Sequence, residues 1–228
     1  MLFDLWYILP ALILTFWASA RVKSTYAKYE KQKAHSGVTA ATVARRILDG
    51  AGLSHIRIEE IAGELTDHYD PKAGVIRLSG GVANSTSIAA IGVAAHECGH
   101  AIQHAHAYLP IRIRQAIIPI TNISSRFAIP LVLLGIILTA YGEQFISVAY
   151  AGVILFGAAV LFQLVTLPVE FNASDRALTI LADTGTLTEE EIPGAKKVLG
   201  AAAMTYVAAL TVSVLQLLRL ISIVNRRR

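Results

Sequence analysis

With 228 residues, the chain is long enough for one modest domain together with several membrane spans. Hydrophobic residues make up 54% and charged residues only 16%, against about 25% charged in a soluble domain, and the apolar residues are bunched into runs, so membrane segments account for the deficit. The single cysteine, Cys98, excludes an internal disulfide framework and a multi-thiolate zinc site, while the formal net charge of +4 is mild and gives no nucleic-acid signal.

Residues 1–20 hold the first apolar run, LFDLWYILPALILTFWASA from residue 2. About 20 such residues cross a hydrocarbon core, which predicts a transmembrane helix. Asp4 stands where a signal peptide carries basic residues, so a cleaved leader is not expected. Arg21, Lys23, Lys28, Lys31 and Lys33 follow the run and put the next segment in the cytoplasm by the positive-inside rule. Residues 21–114 are mixed in polarity and read as a soluble part. Within it, 40–53 predicts an amphipathic helix ending at Gly50 or Gly52, and 56–79 predicts strand, turn and strand about DPKAG. A further helix starts near Ser85 or Ser87, either of which can cap it, and runs through AAHECGHAIQHAHAY.

Residues 115–167 predict a transmembrane hairpin: apolar runs at 127–141 and 145–167 flank a short GEQ turn without Lys or Arg, as suits the outer side. Residues 168–197 open with Pro168, which suits a helix start, and end in an acidic patch. Residues 198–228 are an apolar helix with a basic tail, Arg226 to Arg228. Two readings of this last segment stand: a fourth span, or a helix packed on the soluble part or lying at the membrane surface.

His96-Glu97-Cys98-Gly99-His100 matches HExxH. Four residues are about one helical turn, so both imidazoles project from one face and can grip one zinc ion. Glu97 is rotated to the side, where it can take a proton from a zinc-activated water. A catalytic zinc usually takes three protein ligands. Two candidates compete for the third place. His106 stands at the last position of HExxHxxGxxH, but Gln103 replaces the glycine that breaks the helix there, which turns His106 about 240° from His100. Glu170 follows the second hairpin span, so it returns to the motif's side of the membrane and completes a His/His/Glu set. A carboxylate at a helix start could equally serve the helix dipole.

AAHECGHAIQH together with LPVEFNASDRAL resembles the YugP-type family of membrane zinc metallopeptidases. LSGGVANSTSIAAIGVA, AAAMTYVAAL and the order of span, soluble segment, hairpin and apolar tail extend the resemblance over nearly the whole chain. More distantly the chain is similar to HtpX-type membrane proteases, which pair HExxH with a downstream Glu-x-x-x-Asp. The resemblance implies one Zn2+ per chain held by His96, His100 and Glu170, with Glu97 as the acid–base catalyst. The chain departs from the HtpX-type pattern at Ser174, where that pattern has Asp; Asp175 comes one residue later, about 100° further round. Asp175, Asn172 and Ser174 are therefore competing partners for the second ring nitrogen of a zinc histidine. His104, one turn past His100, could meet that shell or the substrate, and Tyr206 could steady an oxyanion or simply pack.

These readings predict an α-rich membrane protein: a zincin-like HExxH domain with a small β-hairpin or sheet, fused to three or four transmembrane helices. The expected function is an endopeptidase of the bacterial plasma membrane, its site facing the cytoplasm, acting on membrane-associated or misfolded proteins. The alternative is an inactive membrane scaffold with structural zinc, which would have no need of Glu97. The expected partners are the lipid bilayer and a protein or peptide substrate, and no nucleic acid. Val75–Leu78 is expected to be an exposed edge strand that takes up the substrate peptide by strand addition.

Overall fold

The computed structural model describes residues 2–226, and side chains from Trp6 onward. Asp4 of the leader argument and Arg227 and Arg228 of the basic tail lie outside the described side chains. Among the described residues, seven α-helices and three strands follow in chain order: α1 (Leu2–Glu30), α2 (Ala40–Gly50), β1 (Arg57–Ile61), β2 (His68–Asp70), β3 (Val75–Ser79), α3 (Gly80–Ala83), α4 (Ile88–Ala105), α5 (Leu109–Leu138), α6 (Ile146–Asp183) and α7 (Ile192–Asn225). The chain divides into two compact units.

The first unit comprises Ala18–Ile111 and Pro168–Met204. In α2, Ala40, Val43, Ala44, Ile47 and Leu48 recur at helical spacing and are buried, so one face of the helix is apolar and packs on α4. The hydroxyl of Thr39 accepts from Thr42 N at 3.4 Å and starts the helix. Gly52, with φ of 72°, takes the left-handed conformation that lets the chain leave it. The start of α4 falls at Ser87, whose Oγ accepts from Ala90 N at 3.2 Å. The core between these helices, the sheet and the last turns of α6 is built from Leu48, Ile76, Leu78, Ile91, Leu181 and Leu187.

The expected hairpin is present as β2 and β3, and the sheet adds one more strand to it. Its strand order is β1-β3-β2, with β1 parallel and β2 antiparallel to β3. The predicted turn is present between β2 and β3: Asp70 Oδ1 accepts from Lys72 N at 3.0 Å and Ala73 N at 3.1 Å, and Gly74 has φ of 63°. The segment before it is not one strand but two, because the chain turns away at Gly63 (φ 108°) and Leu65 (φ 55°). Asp67 then anchors the return by accepting from Ser79 N at 2.8 Å. As a result β1 runs beside the other edge of β3. Val75–Leu78 is therefore the central strand, paired on both sides and almost wholly buried. The expected peptide-binding edge at that strand is overturned, because no ladder groups of β3 remain to pair with a peptide.

A second difference concerns Pro168. Helix α6 runs without a break from Ile146 to Asp183 with Pro168 inside it, so Pro168 does not start a helix and Glu170 is not at a helix N-terminus. The helix-dipole role for Glu170 falls with that. Proline is tolerated within long apolar helices, where neighbouring groups take up the freed carbonyl.

The second unit comprises Met1–Trp17, Arg112–Leu167 and Thr205–Arg228. Here α5 and the first part of α6 form the predicted hairpin, joined by two short 3-10 turns about Gly142. Their backbones approach closely. A methyl group at Gly152 would lie 2.7 Å from Ala128 O, and one at Gly135 would collide with Ala149 N. Small residues at such crossings let apolar helices pack where the hydrophobic effect gives no drive. Ser124 Oγ adds a hydrogen bond to Leu155 O at 2.7 Å. Among the described residues three helices are long and apolar enough to cross a membrane: Leu109–Tyr141, Glu143–Asp183 and Ile192–Asn225. The last of these is the segment whose reading the sequence left open.

Candidate metal centre

Two helices of the first unit build the site. α4 presents His96 and His100 one turn apart, and α6 brings Glu170 against them. Glu170 is 2% exposed. Its Oε2 lies 3.4 Å from His96 Nε2 and 3.5 Å from His100 Nε2. A tetrahedral zinc with bonds of about 2.0–2.2 Å keeps its donor atoms about 3.4 Å apart. Both histidine–carboxylate spacings therefore match what such an ion requires, the three donor groups lie within 4.8 Å of one another, and two nitrogens with one carboxylate oxygen are a donor set suited to it.

Glycine 99 makes the approach of the two helices possible. A methyl group there would lie 2.5 Å from Ala173 O and 3.1 Å from its carbonyl carbon. Ala173 is flanked by Asn172 and Ser174 on α6, so the contact sets the depth at which all of this stretch meets the histidines.

The second ring nitrogens are held from both helices. His96 Nδ1 lies 3.1 Å from Ser174 Oγ, and His100 Nδ1 lies 3.0 Å from Gln103 Oε1. Gln103 is fully buried, and its amide nitrogen donates to Val169 O at 2.8 Å and to Asn172 Oδ1 at 3.0 Å. Those two bonds fix Gln103 Oε1 as the acceptor. His100 Nδ1–H must then be the donor, which leaves Nε2 as the atom that faces Glu170 and the one that would bind a metal. Arg176 Nε in turn donates to Asn172 Oδ1 at 2.8 Å and completes the chain of contacts.

Glu97 is buried beside the pair, 8% exposed, and its Oε2 accepts from the backbone N–H of Tyr69 at 2.9 Å. Strand β2 thus positions the carboxylate. Burial opposes a proton on His100, but the hydrogen bond to Glu170 and the charges of Glu97 and Glu170 outweigh it and raise its affinity above the ordinary histidine value. Cys98 points into the core with Sγ 3.5 Å from Ala44 O, and burial pushes its thiol up, so it is inert packing.

The remaining sequence candidates fall at different places. His106 caps the end of α4 and is exposed. Asp175 is exposed on α6, whereas Ser174 and Gln103 face the two Nδ1 atoms. Asn172 reaches the site through Gln103. His104 is half-buried, its ring edge-on to Tyr69 with centroids 5.4 Å apart. Tyr206 is half-buried in α7 and belongs to the second unit. Sequence reasoning missed Gln103 and the Tyr69 N–H as parts of the site. The first had a signal, since it lies three residues past His100 and so next to it on the helix.

Comparison with known proteins shows the family. Residues 5–225 match the profile of a family described as "putative neutral zinc metallopeptidase". A relative from Bacillus subtilis (strain 168), named "putative membrane protease YugP", is 49% identical over 215 residues, which cover 94% of this chain and 93% of that protein. No solved structure matches. The profile match spans nearly the whole chain and the relative is half-identical over most of both lengths, so the chain belongs to this neutral zinc metallopeptidase family.

Proposed function

We propose that the chain is an integral-membrane zinc endopeptidase whose single zinc is held by His96, His100 and Glu170 and whose acid–base group is Glu97. The observation that carries this is the convergence of the two Nε2 atoms and the Glu170 carboxylate, with donor atoms within 4.8 Å of one another and Glu97 next to them. Zinc in that set supplies the Lewis acidity that makes water a nucleophile near neutral pH and polarises a carbonyl. The protein's own residues do the rest. Ser174 and Gln103 hold the imidazoles in orientation. Tyr69 N–H holds one oxygen of Glu97, and the other oxygen takes a proton from water and returns it to the leaving amine.

In this reading residues 1–20 and the apolar stretch from 198 join the hairpin of 115–167 as spans. The basic residues Arg21, Lys23, Lys28, Lys31 and Lys33 that follow the first apolar run support a site at the cytoplasmic face, within reach of membrane-associated or misfolded proteins. Elemental analysis of detergent-purified protein tests the ligand set. One zinc per chain is expected in the wild type and little in Glu170→Ala. Zinc retained in Glu170→Ala would move the third ligand elsewhere, and none in the reconstituted wild type would overturn the reading.

A further inference from the structure

Outside the metal centre, the first unit contains an open basic cavity of about 560 Å³ between the second half of α1 and the start of α7. Arg21 and Lys28 from α1 and Lys197 from α7 line it, with the hydroxyl residues Ser24, Thr25 and Tyr29. No carboxylate is among the described residues lining it. Lys28 Nζ sits 5.5 Å from the centre of the Tyr29 ring, which holds that side chain over an apolar surface. Gly200 and Ala201 contribute no bulk to the wall, and the space beside Gly200 is empty to 4 Å.

The position of the cavity along its helices identifies the occupant. In α1 the apolar run ends at Ala20, and Arg21 is the next residue. In α7 the last cations before the apolar run are Lys196 and Lys197. The cavity therefore lies at the level where both helices change from charged to apolar. The spacing of Pro10, Ile13, Leu14, Trp17, Arg21, Thr25 and Lys28 puts apolar and basic residues on one face of α1. In the second unit the apolar members of that face, with Thr211 and Leu215, line a cavity of about 490 Å³.

We infer that the basic cavity is a binding site for the phosphate headgroup of an anionic phospholipid, with Arg21, Lys28 and Lys197 as the phosphate-binding groups. The inference rests on the membrane reading proposed above but not on peptidase activity. A free phosphate would meet the same three cations. The lipid is favoured because the cavity borders the apolar runs of both helices that line it.

The test uses full-length protein in dodecyl maltoside and native mass spectrometry with added phosphatidylglycerol or phosphatidylcholine. Phosphatidylglycerol should bind well above phosphatidylcholine. Each cation near a membrane surface contributes severalfold, so Arg21→Gln/Lys28→Gln/Lys197→Gln should weaken phosphatidylglycerol binding roughly a hundredfold. Lys23→Gln/Lys31→Gln/Lys196→Gln removes the same charge from positions outside this cavity and should leave binding near wild type. Gly200→Leu fills the cavity without changing charge and should weaken binding too, which keeps the test decisive if the first triple variant does not fold. Equal loss in both triple variants, equal binding of the two lipids, or full displacement of phosphatidylglycerol by millimolar inorganic phosphate would overturn the site. Lipid binding is read directly, so an inactive protein with an intact lipid site would contradict only the peptidase reading.

Discussion

Gly99→Ala is a one-methyl test of the site's construction. The new methyl would stand 2.5 Å from Ala173 O, nearly an ångström inside ordinary contact, and the obstacle is helix backbone that cannot rotate away. Helix α6 must therefore move back or the methyl must be accommodated at about 1–3 kcal/mol of overpacking. Alanine also gains about 1 kcal/mol over glycine in a helix interior, which partly offsets this. Stability is thus a poor readout and metal affinity a good one. Glu170 lies one turn before Ala173 and Ser174 lies directly after it, so retreat of α6 draws the carboxylate and the hydroxyl away from His96 and His100 together. Displacements of this size cost one to two powers of ten, so zinc affinity should fall roughly tenfold to a hundredfold. Competition against a fluorescent zinc chelator measures it. Gly200→Ala is the control, since it brings the same helical gain where no atom lies within 4 Å. Wild-type zinc affinity in Gly99→Ala would refute the close approach of α4 and α6 as the basis of the site.

Further outcomes follow from the same contacts. Gln103→Leu removes the acceptor for His100 Nδ1, so zinc affinity should drop roughly tenfold or more; unchanged affinity would remove Gln103 from the site. Ser174→Ala should act in the same direction through His96, and Asp175→Ala, at an exposed position, should leave zinc binding unaltered, which calorimetric titration can separate. The metal-free protein should show a pH signature. His100 holds its proton more tightly when folded, so its stabilisation is complete below the unfolded value near 6.5 and is lost as pH rises through the raised folded value. Melting curves of chelator-treated wild type should therefore fall more steeply above neutral pH than those of His100→Gln, and parallel curves would refute the assignment.

The parts of the fold that depend on local pattern were legible. Ser87 and the apolar spacing after it announced α4, and the runs at 127–141 and 145–167 announced the hairpin. What was not legible depends on partners distant in sequence. β1 pairs in parallel with β3 across a loop, and nothing in RIEEI states that β3 rather than β2 is its neighbour. The one-strand reading of 56–69 failed because Leu65 adopts a positive φ that its residue type does not advertise. Pro168 suits a helix start because its missing N–H and fixed φ fit the first turn, whereas α6 passes through it. In the candidate metal centre, spacing along one helix points to His96 and His100, and ligand count, topology and family resemblance point to Glu170. Gln103 stood in view only as a missing glycine, since its amide has meaning only once Val169 and Asn172 lie beside it.

Hydrolysis by the Glu97→Gln variant tests the central claim most directly. The side chain keeps its shape, and one of its polar atoms can still meet the Tyr69 N–H, so zinc content should match the wild type. Both proteins, zinc-loaded in detergent, would be assayed on dye-quenched casein. The account predicts cleavage by the wild type, abolished by a zinc chelator, and a rate lower by roughly a hundredfold to ten-thousandfold in the variant. Equal cleavage by the two proteins would contradict it.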